Sequence, residues 1–102
     1  MTIENIDESF ETEMGIPIFT IELPEHEQMF PYSSFRNAVF KGNRITMEFY
    51  DWKITINGKR LSSLWKQLQL QDVRVIRCNS DSGDGQCFVY SIEVKQLEES
   101  LG

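Results

Sequence analysis

The chain has no apolar run near the roughly 18 residues that a membrane-spanning helix needs. It holds a single histidine, His26, and two cysteines, Cys78 and Cys87. Two cysteines are too few to staple a small fold with disulfides, so free thiols in a reducing compartment are expected. The opening stretch MTIENIDESFETEMG has neither a basic segment nor an apolar one. No secretory leader is therefore expected, and a cytoplasmic location is the default. The chain lacks an N-x-S/T glycosylation site, and it also lacks HExxH, CxxC, GK[ST] and G-x-S-x-G. These absences remove the zinc-protease helix, the thioredoxin-type pair, the phosphate loop and the nucleophile elbow. Internal repeats and low-complexity tracts are absent too. No catalytic constellation, metal or cofactor is implied, and the expectation is a protein that is not an enzyme.

What is present is material for one small domain: 102 residues with seven Phe and two Trp. A chain of this size can bury a core but has little stability to spare. The net charge is −6, and it is unevenly spread. Residues 1–35 carry eight acids and no Lys or Arg; residues 36–77 carry nine bases and three acids; residues 78–102 carry five acids and one base. Such a pattern is either ordinary solvated charge or a basic face for an anionic partner or for the chain's own acidic end.

Residues 1–14 contain five acids, no base, no Gly and no Pro. Ile3, Ile6, Phe10 and Met14 recur at helical spacing, yet a short isolated helix is marginal in water. The stretch reads as a flexible acidic tail, or else as a helix that docks. Residues 15–102 read as a single α+β domain. GIPIFTIELP (15–24) is a strand with apolar residues on both faces. PEHEQMFPYSS (24–34), with Pro24 and Pro31, is a loop. Gly42-Asn43 divides two alternating runs and predicts a hairpin. In its register Phe40 faces Ile45, Ala38 faces Met47 and Arg36 faces Phe49; on the other face Phe35 meets Tyr50.

In RITMEFYDWKITING (44–57) the alternation slips phase. Ile45, Met47 and Phe49 hold odd positions; Trp52, Ile54 and Ile56 hold even ones. One strand of that length would run about 46 Å, too long for so small a domain. A two-residue turn at Tyr50-Asp51 places all six apolar residues on one face and sets Glu48 against Lys53. The rival is a β-bulge, which also flips the phase. The objection to the turn is that tight hairpin turns favour positive φ, which suits Asp51 and not Tyr50.

Leu61, Leu64, Trp65 and Leu68 form one apolar helical stripe in 61–71, with Ser62 or Ser63 as cap. DVRVIRC (72–78) and QCFVYSIEV (86–94) are strands around the loop NSDSGDGQ. As a hairpin they would bring Cys78 opposite Cys87. The expected fold is α+β: a mostly antiparallel sheet of about five to six strands in the order β-β-β-β-α-β-β, with one short helix packed on a face.

For function, a protein partner or a homodimer is expected, with no membrane. The leading reading is a non-enzymatic protein-interaction module or accessory subunit. Its candidate partner-binding residues are Phe35 and Tyr50, an aromatic pair on the face away from the main core. The alternative is an inhibitor or immunity-type protein whose acidic tail neutralises a basic partner. The third reading is single-stranded nucleic-acid binding through 36–77, where bases and aromatics mix. It is disfavoured by the negative chain and the missing RNP pattern. His26 with Glu25 and Glu27 makes a poor metal site, and NSDSGDGQ fails the calcium-loop spacing.

Overall fold

The structure, a computed structural model, describes residues 9–79 and 87–97. Eight strands and one α-helix follow in the order β1 (Phe10–Thr12), β2 (Ile18–Glu22), β3 (Glu27–Pro31), β4 (Phe35–Lys41), β5 (Arg44–Phe49), β6 (Trp52–Lys59), α1 (Ser62–Gln69), β7 (Val73–Arg77) and β8 (Phe88–Gln96). They form two four-stranded sheets, β1-β7-β2-β3 and β4-β5-β6-β8. The expected single sheet is thus corrected to two, with two more strands than expected. Pairing is antiparallel except between β2 and β7.

Both additional strands lie at sheet edges, where sequence signals are weak. β3 falls in the stretch expected to be a loop. Leu23 N donates to His26 O at 2.9 Å to close the β2–β3 turn, and Pro31 is the last residue of the strand. A proline costs no ladder bond on an edge strand. β1 lies inside the expected acidic tail, whose residues 1–8 fall outside the described residues.

The phase slip resolves as the hairpin. β5 pairs with β6 as Ile45↔Ile56, Met47↔Ile54 and Glu48↔Lys53, so no bulge is needed. Neither Tyr50 nor Asp51 has positive φ, which removes the chemical objection: this connection is built in ordinary backbone regions. At the preceding turn Gly42 takes φ +61°, the left-handed value that a tight two-residue turn gives to glycine at its first position.

The inner faces of the two sheets meet over one core. Phe19 and Ile21 of β2 and Phe30 of β3 lie against Ile45, Met47, Phe49, Ile54 and Ile56 of the second sheet. Phe49 carries much of this contact, with ring centroids 5.6 Å from Phe19 and 5.5 Å from Phe30. The helix stripe holds as read: Leu61 and Leu64 are buried, while Trp65 and Leu68 are partly buried against the core. Neither serine caps it. Leu61 is the N-cap and no side chain bonds to the first turn. β7 and β8 do not form a hairpin, because they belong to different sheets.

The acidic start of the chain is joined to its basic middle. Glu11, on β1, binds Arg74 and Arg77 of the neighbouring β7; Arg74 also reaches Glu13 at 3.6 Å, and Arg77 reaches Glu22 at 3.1 Å. The bond from Arg77, helped by the charge of Arg74, holds the Glu11 carboxyl below its ordinary range. A lowered carboxyl pKa stabilises the fold above the unfolded value, and that contribution is lost as pH falls through the folded value. We therefore expect β1 to loosen below about pH 4.5, the ordinary glutamate value. Protection of the amides at residues 10–12, measured against their intrinsic exchange rate at each pH, would fall there before it falls in β5 and β6. Glu11→Gln should give fast exchange of β1 already at neutral pH, with the acid step flattened.

Candidate functional site

Along β4 the side chains alternate. Ala38 and Phe40 face inward, while Asn37, Val39 and Lys41 face out and are exposed. Ala38 is the one small side chain among the inward-facing residues of β4 and β5, so the sheet is left shallow above Met47. Helix α1 covers this inner face only in part. Trp65 packs on Phe40, with ring centroids 5.4 Å apart, and Leu68 stands half-buried one turn further on. Tyr32 walls another side, its hydroxyl donating to Val73 O at 2.6 Å. Burial pushes the Tyr32 phenol up to about 12, so it remains a neutral donor. Together with Phe35, Met47, Phe49, Gln69 and Gln71, these residues line an open apolar cleft of about 330 Å³. That volume is in the range of small-ligand pockets, which are mostly apolar with a few polar groups at the rim.

Among the described residues β4 is paired only with β5, so the cleft borders a sheet edge that no described strand covers. Lys41 pairs with Arg44 next to the two-residue turn, followed by Val39 with Thr46 and Asn37 with Glu48. In an antiparallel ladder, bonded and non-bonded pairs alternate. The backbone groups of Ala38 and Phe40 therefore point away from β5, to the edge that no described strand covers.

The predicted aromatic pair is not brought together. The hairpin register holds from Asn37 to Lys41 and then shifts, so that Phe35 lies opposite Phe49. Arg36 is the extra residue of a bulge, and an extra residue flips the alternation. Phe35 turns to the inner side, 42% exposed at the mouth of the cleft, with its ring edge-on to Phe49 at 5.7 Å. Tyr50 stays on the other side, 69% exposed, with the Arg36 guanidinium 5.9 Å above its ring. It borders a separate, smaller depression with Met29 and Trp52. Sequence reasoning found Phe35 but missed Ala38, Met47, Trp65 and Leu68 as cleft residues. The available signal was the helical stripe itself, which continues past the buried leucines onto residues too large to be covered by one short helix.

The charged residues of β4 and α1 are of one sign and stand outside the cleft lining, while the Asp72 carboxylate acts on Tyr32 at the cleft wall. β4 carries Arg36 and Lys41, α1 carries Lys66, and neither element has an acid. On the outer face of the sheet, Arg44 Nε donates to Asn57 Oδ1 and Asn57 Nδ2 donates to Ser91 Oγ, both at 3.0 Å. This side-chain ladder ties β5, β6 and β8 together.

The remaining candidates do not converge. His26 is exposed, with Nε2 3.4 Å from Gln28 Oε1. Among the described residues no three His, Cys, Asp or Glu are grouped to hold a metal ion. Cys78 and Cys87 do not bridge. Cys87 is buried beside Ser9, whose hydroxyl lies 3.2 Å from Cys87 O and 3.4 Å from its Sγ. Partial desolvation raises the Cys78 thiol pKa, which leaves it protonated at neutral pH and a poor nucleophile. Most of NSDSGDGQ lies outside the described residues; Asn79 is described, and its backbone and side chain bond to the main chain of Val89 at 2.9 Å. No helix among the described residues is long and apolar enough to cross a membrane. Comparison with protein-family models, with curated proteins and with solved structures gives no match.

Proposed function

We propose that the chain is a non-enzymatic interaction module that receives a polypeptide partner along β4. The observation that carries this reading is the open apolar cleft lying directly beside a strand edge that no described strand covers. The two features are complementary. An added strand would bond to the backbone of Ala38 and Phe40, and every second side chain of that strand would turn toward the cleft. Seating one apolar side chain there would contribute roughly 1.5–3 kcal/mol, and Phe35 would lose its exposed area at the same time. The reading based on an acidic tail has weaker support, because Glu11 and Glu13 are engaged by Arg74 within the chain. The nucleic-acid reading likewise loses Arg74 and Arg77 to internal pairs.

Peptides selected on the full chain from a random display library provide the test. Bound peptide should slow amide exchange at Ala38 and Phe40, and Ala38→Leu, which fills the cleft, should weaken binding about tenfold, near 1.4 kcal/mol, while the melting curve stays cooperative. Binders that leave both amides unprotected and ignore Ala38→Leu would show that β4 is not the docking edge.

A further inference from the structure

We infer that the partner segment at β4 is an extended acidic one: a strand with carboxylates flanking a single apolar residue. This rests on the docking reading above and adds the chemistry of the occupant. The argument is charge complementarity. The chain as a whole has a net charge of −6, so a basic surface on it is a local departure. Such a departure exists along the β4 edge, where Arg36 and Lys41 are exposed on a strand that has no carboxylate of its own.

Arg36 and Lys41 stand near the two ends of β4. The backbone groups that pair with no described strand, those of Ala38 and Phe40, lie between them. The edge is therefore a short apolar segment bracketed by two cations. An added strand that places one apolar side chain over Ala38 brings its residues two to four positions away alongside Arg36 and Lys41. Carboxylates at those positions find opposite charges; Lys or Arg there meets like charge, which is strongly disfavoured across an interface. The same argument disfavours a second copy of this chain as occupant, since antiparallel pairing of β4 with its twin sets two basic strands side by side. Charged strand edges of this kind also discourage self-pairing, which fits an edge reserved for a different chain.

The test uses the full chain and the same random peptide library, with the recovered sequences resynthesised as free peptides. Acidic peptides with one apolar anchor are expected to dominate. Their binding should weaken steeply with added salt and fall at least about tenfold in the charge-reversed double variant Arg36→Glu, Lys41→Glu. Both positions are exposed, so the variant keeps its fold, checked by its melting curve. On that variant the selection should recover basic peptides instead. Recovery of binders that protect Ala38 and Phe40 but show no acidic bias, or that bind the double variant equally well, would overturn the inference and leave the docking reading standing. Recovery of no binder at β4 would overturn both. Single-stranded oligothymidine is the competing probe: if it binds, is lost in the double variant, and acidic peptides do not bind, the basic edge serves a phosphodiester ligand and the inference is wrong. Light scattering that shows a dimer abolished by Ala38→Leu would equally overturn it, in favour of a second copy.

Discussion

Gly58→Ala is expected to lower the melting temperature by about 12–24 °C or to prevent folding altogether. Gly58 sits on β6 where the register with β8 shifts, opposite Val89. A Cβ built there would lie 2.0 Å from Phe88 O and 3.0 Å from Leu61 Cδ2. The first contact is with backbone, so no side-chain rotation relieves it; β8 itself would have to move. β8 is paired with β6 along Trp52–Lys59 and cannot shift locally without losing ladder bonds. Gly58 N also donates to Asn43 O at 3.0 Å, so retreat of β6 to the other side is opposed as well. Overpacking typically costs 1–3 kcal/mol and sometimes more; a clash with a carbonyl oxygen belongs at the upper end. At about 4–8 °C per kcal/mol for a domain of this size, about 3 kcal/mol gives the stated range.

A second glycine separates the steric cause from the conformational one. Gly42 has φ +61° and nothing within 4 Å of the missing Cβ. Its alanine variant therefore suffers from backbone strain alone, on the order of 1–2 kcal/mol. A larger side chain separates the two causes: Gly42→Ser should cost no more than Gly42→Ala, because that position is open, whereas Gly58→Ser should be at least as damaging as Gly58→Ala, because the obstacle there is space. Thermal melts of the four variants check this ordering; a smaller loss at position 58 than at position 42 would refute the steric account of Gly58.

The strands that were legible in the sequence are those whose pattern is local. The six apolar residues from Ile45 to Ile56 specify a face and a turn between them, because a one-residue slip would expose them all. The stripe Leu61, Leu64, Trp65, Leu68 likewise specifies a helix and its buried side. The division into two sheets was not legible, since it depends on partners far apart in sequence: β7 lies between β1 and β2, more than fifty residues earlier. Nothing near Val73–Arg77 encodes that choice. β1 has three residues and its apolar spacing imitates a helix, so only its ion pairs to Arg74 and Arg77 and its ladder on β7 explain why it is a strand. The candidate site was half legible. Phe35 was found as an exposed aromatic, but its neighbour was misassigned through one feature, the bulge at Arg36. That bulge has no glycine to announce it. Its effect is to move Phe35 from the face of Tyr50 to the face of Ala38, and so from an exposed pair to the rim of a cleft.

The asymmetric charge has two structural uses rather than one. Arg74 and Arg77 face acids of the N-terminal third and hold β1 on the first sheet. Arg36 and Lys41 belong to β4 and Lys66 to α1, two elements with no acid of their own, although Glu48 and Glu93 stand on β5 and β8 of the same sheet. The basic middle of the chain is thus split between a part paired with the chain's own acids and a part on β4 and α1 that faces outward.

Phe49→Ala is expected to cost about 3–5 kcal/mol, a large share of the roughly 5–15 kcal/mol that holds a typical domain together. Phe49 is 2% exposed and stands where the two sheets meet. It touches Phe19 and Phe30 across the interface and Phe35 within its own sheet, at ring centroids of 5.5 to 5.7 Å. Removing it leaves a void that neither rigid sheet can close, and cavity cost rises with the volume left unfilled. The melting temperature should fall by at least about 12 °C. Phe40→Ala should cost less: Phe40 is only partly buried, and Trp65 is its one aromatic contact among the described residues. The loss at position 49 also reaches the site, because Phe49 lines both the cleft and the smaller depression beside Tyr50 and separates them. Without its ring the two become continuous, and Phe35 loses the edge-on contact that holds it at the rim. An apolar dye should then bind the folded variant more strongly than the parent chain, at temperatures well below the melt. If Phe49→Ala instead melts within a few degrees of the parent and takes up no dye, the two sheets are held together elsewhere, and the cleft does not owe its floor to the sandwich core.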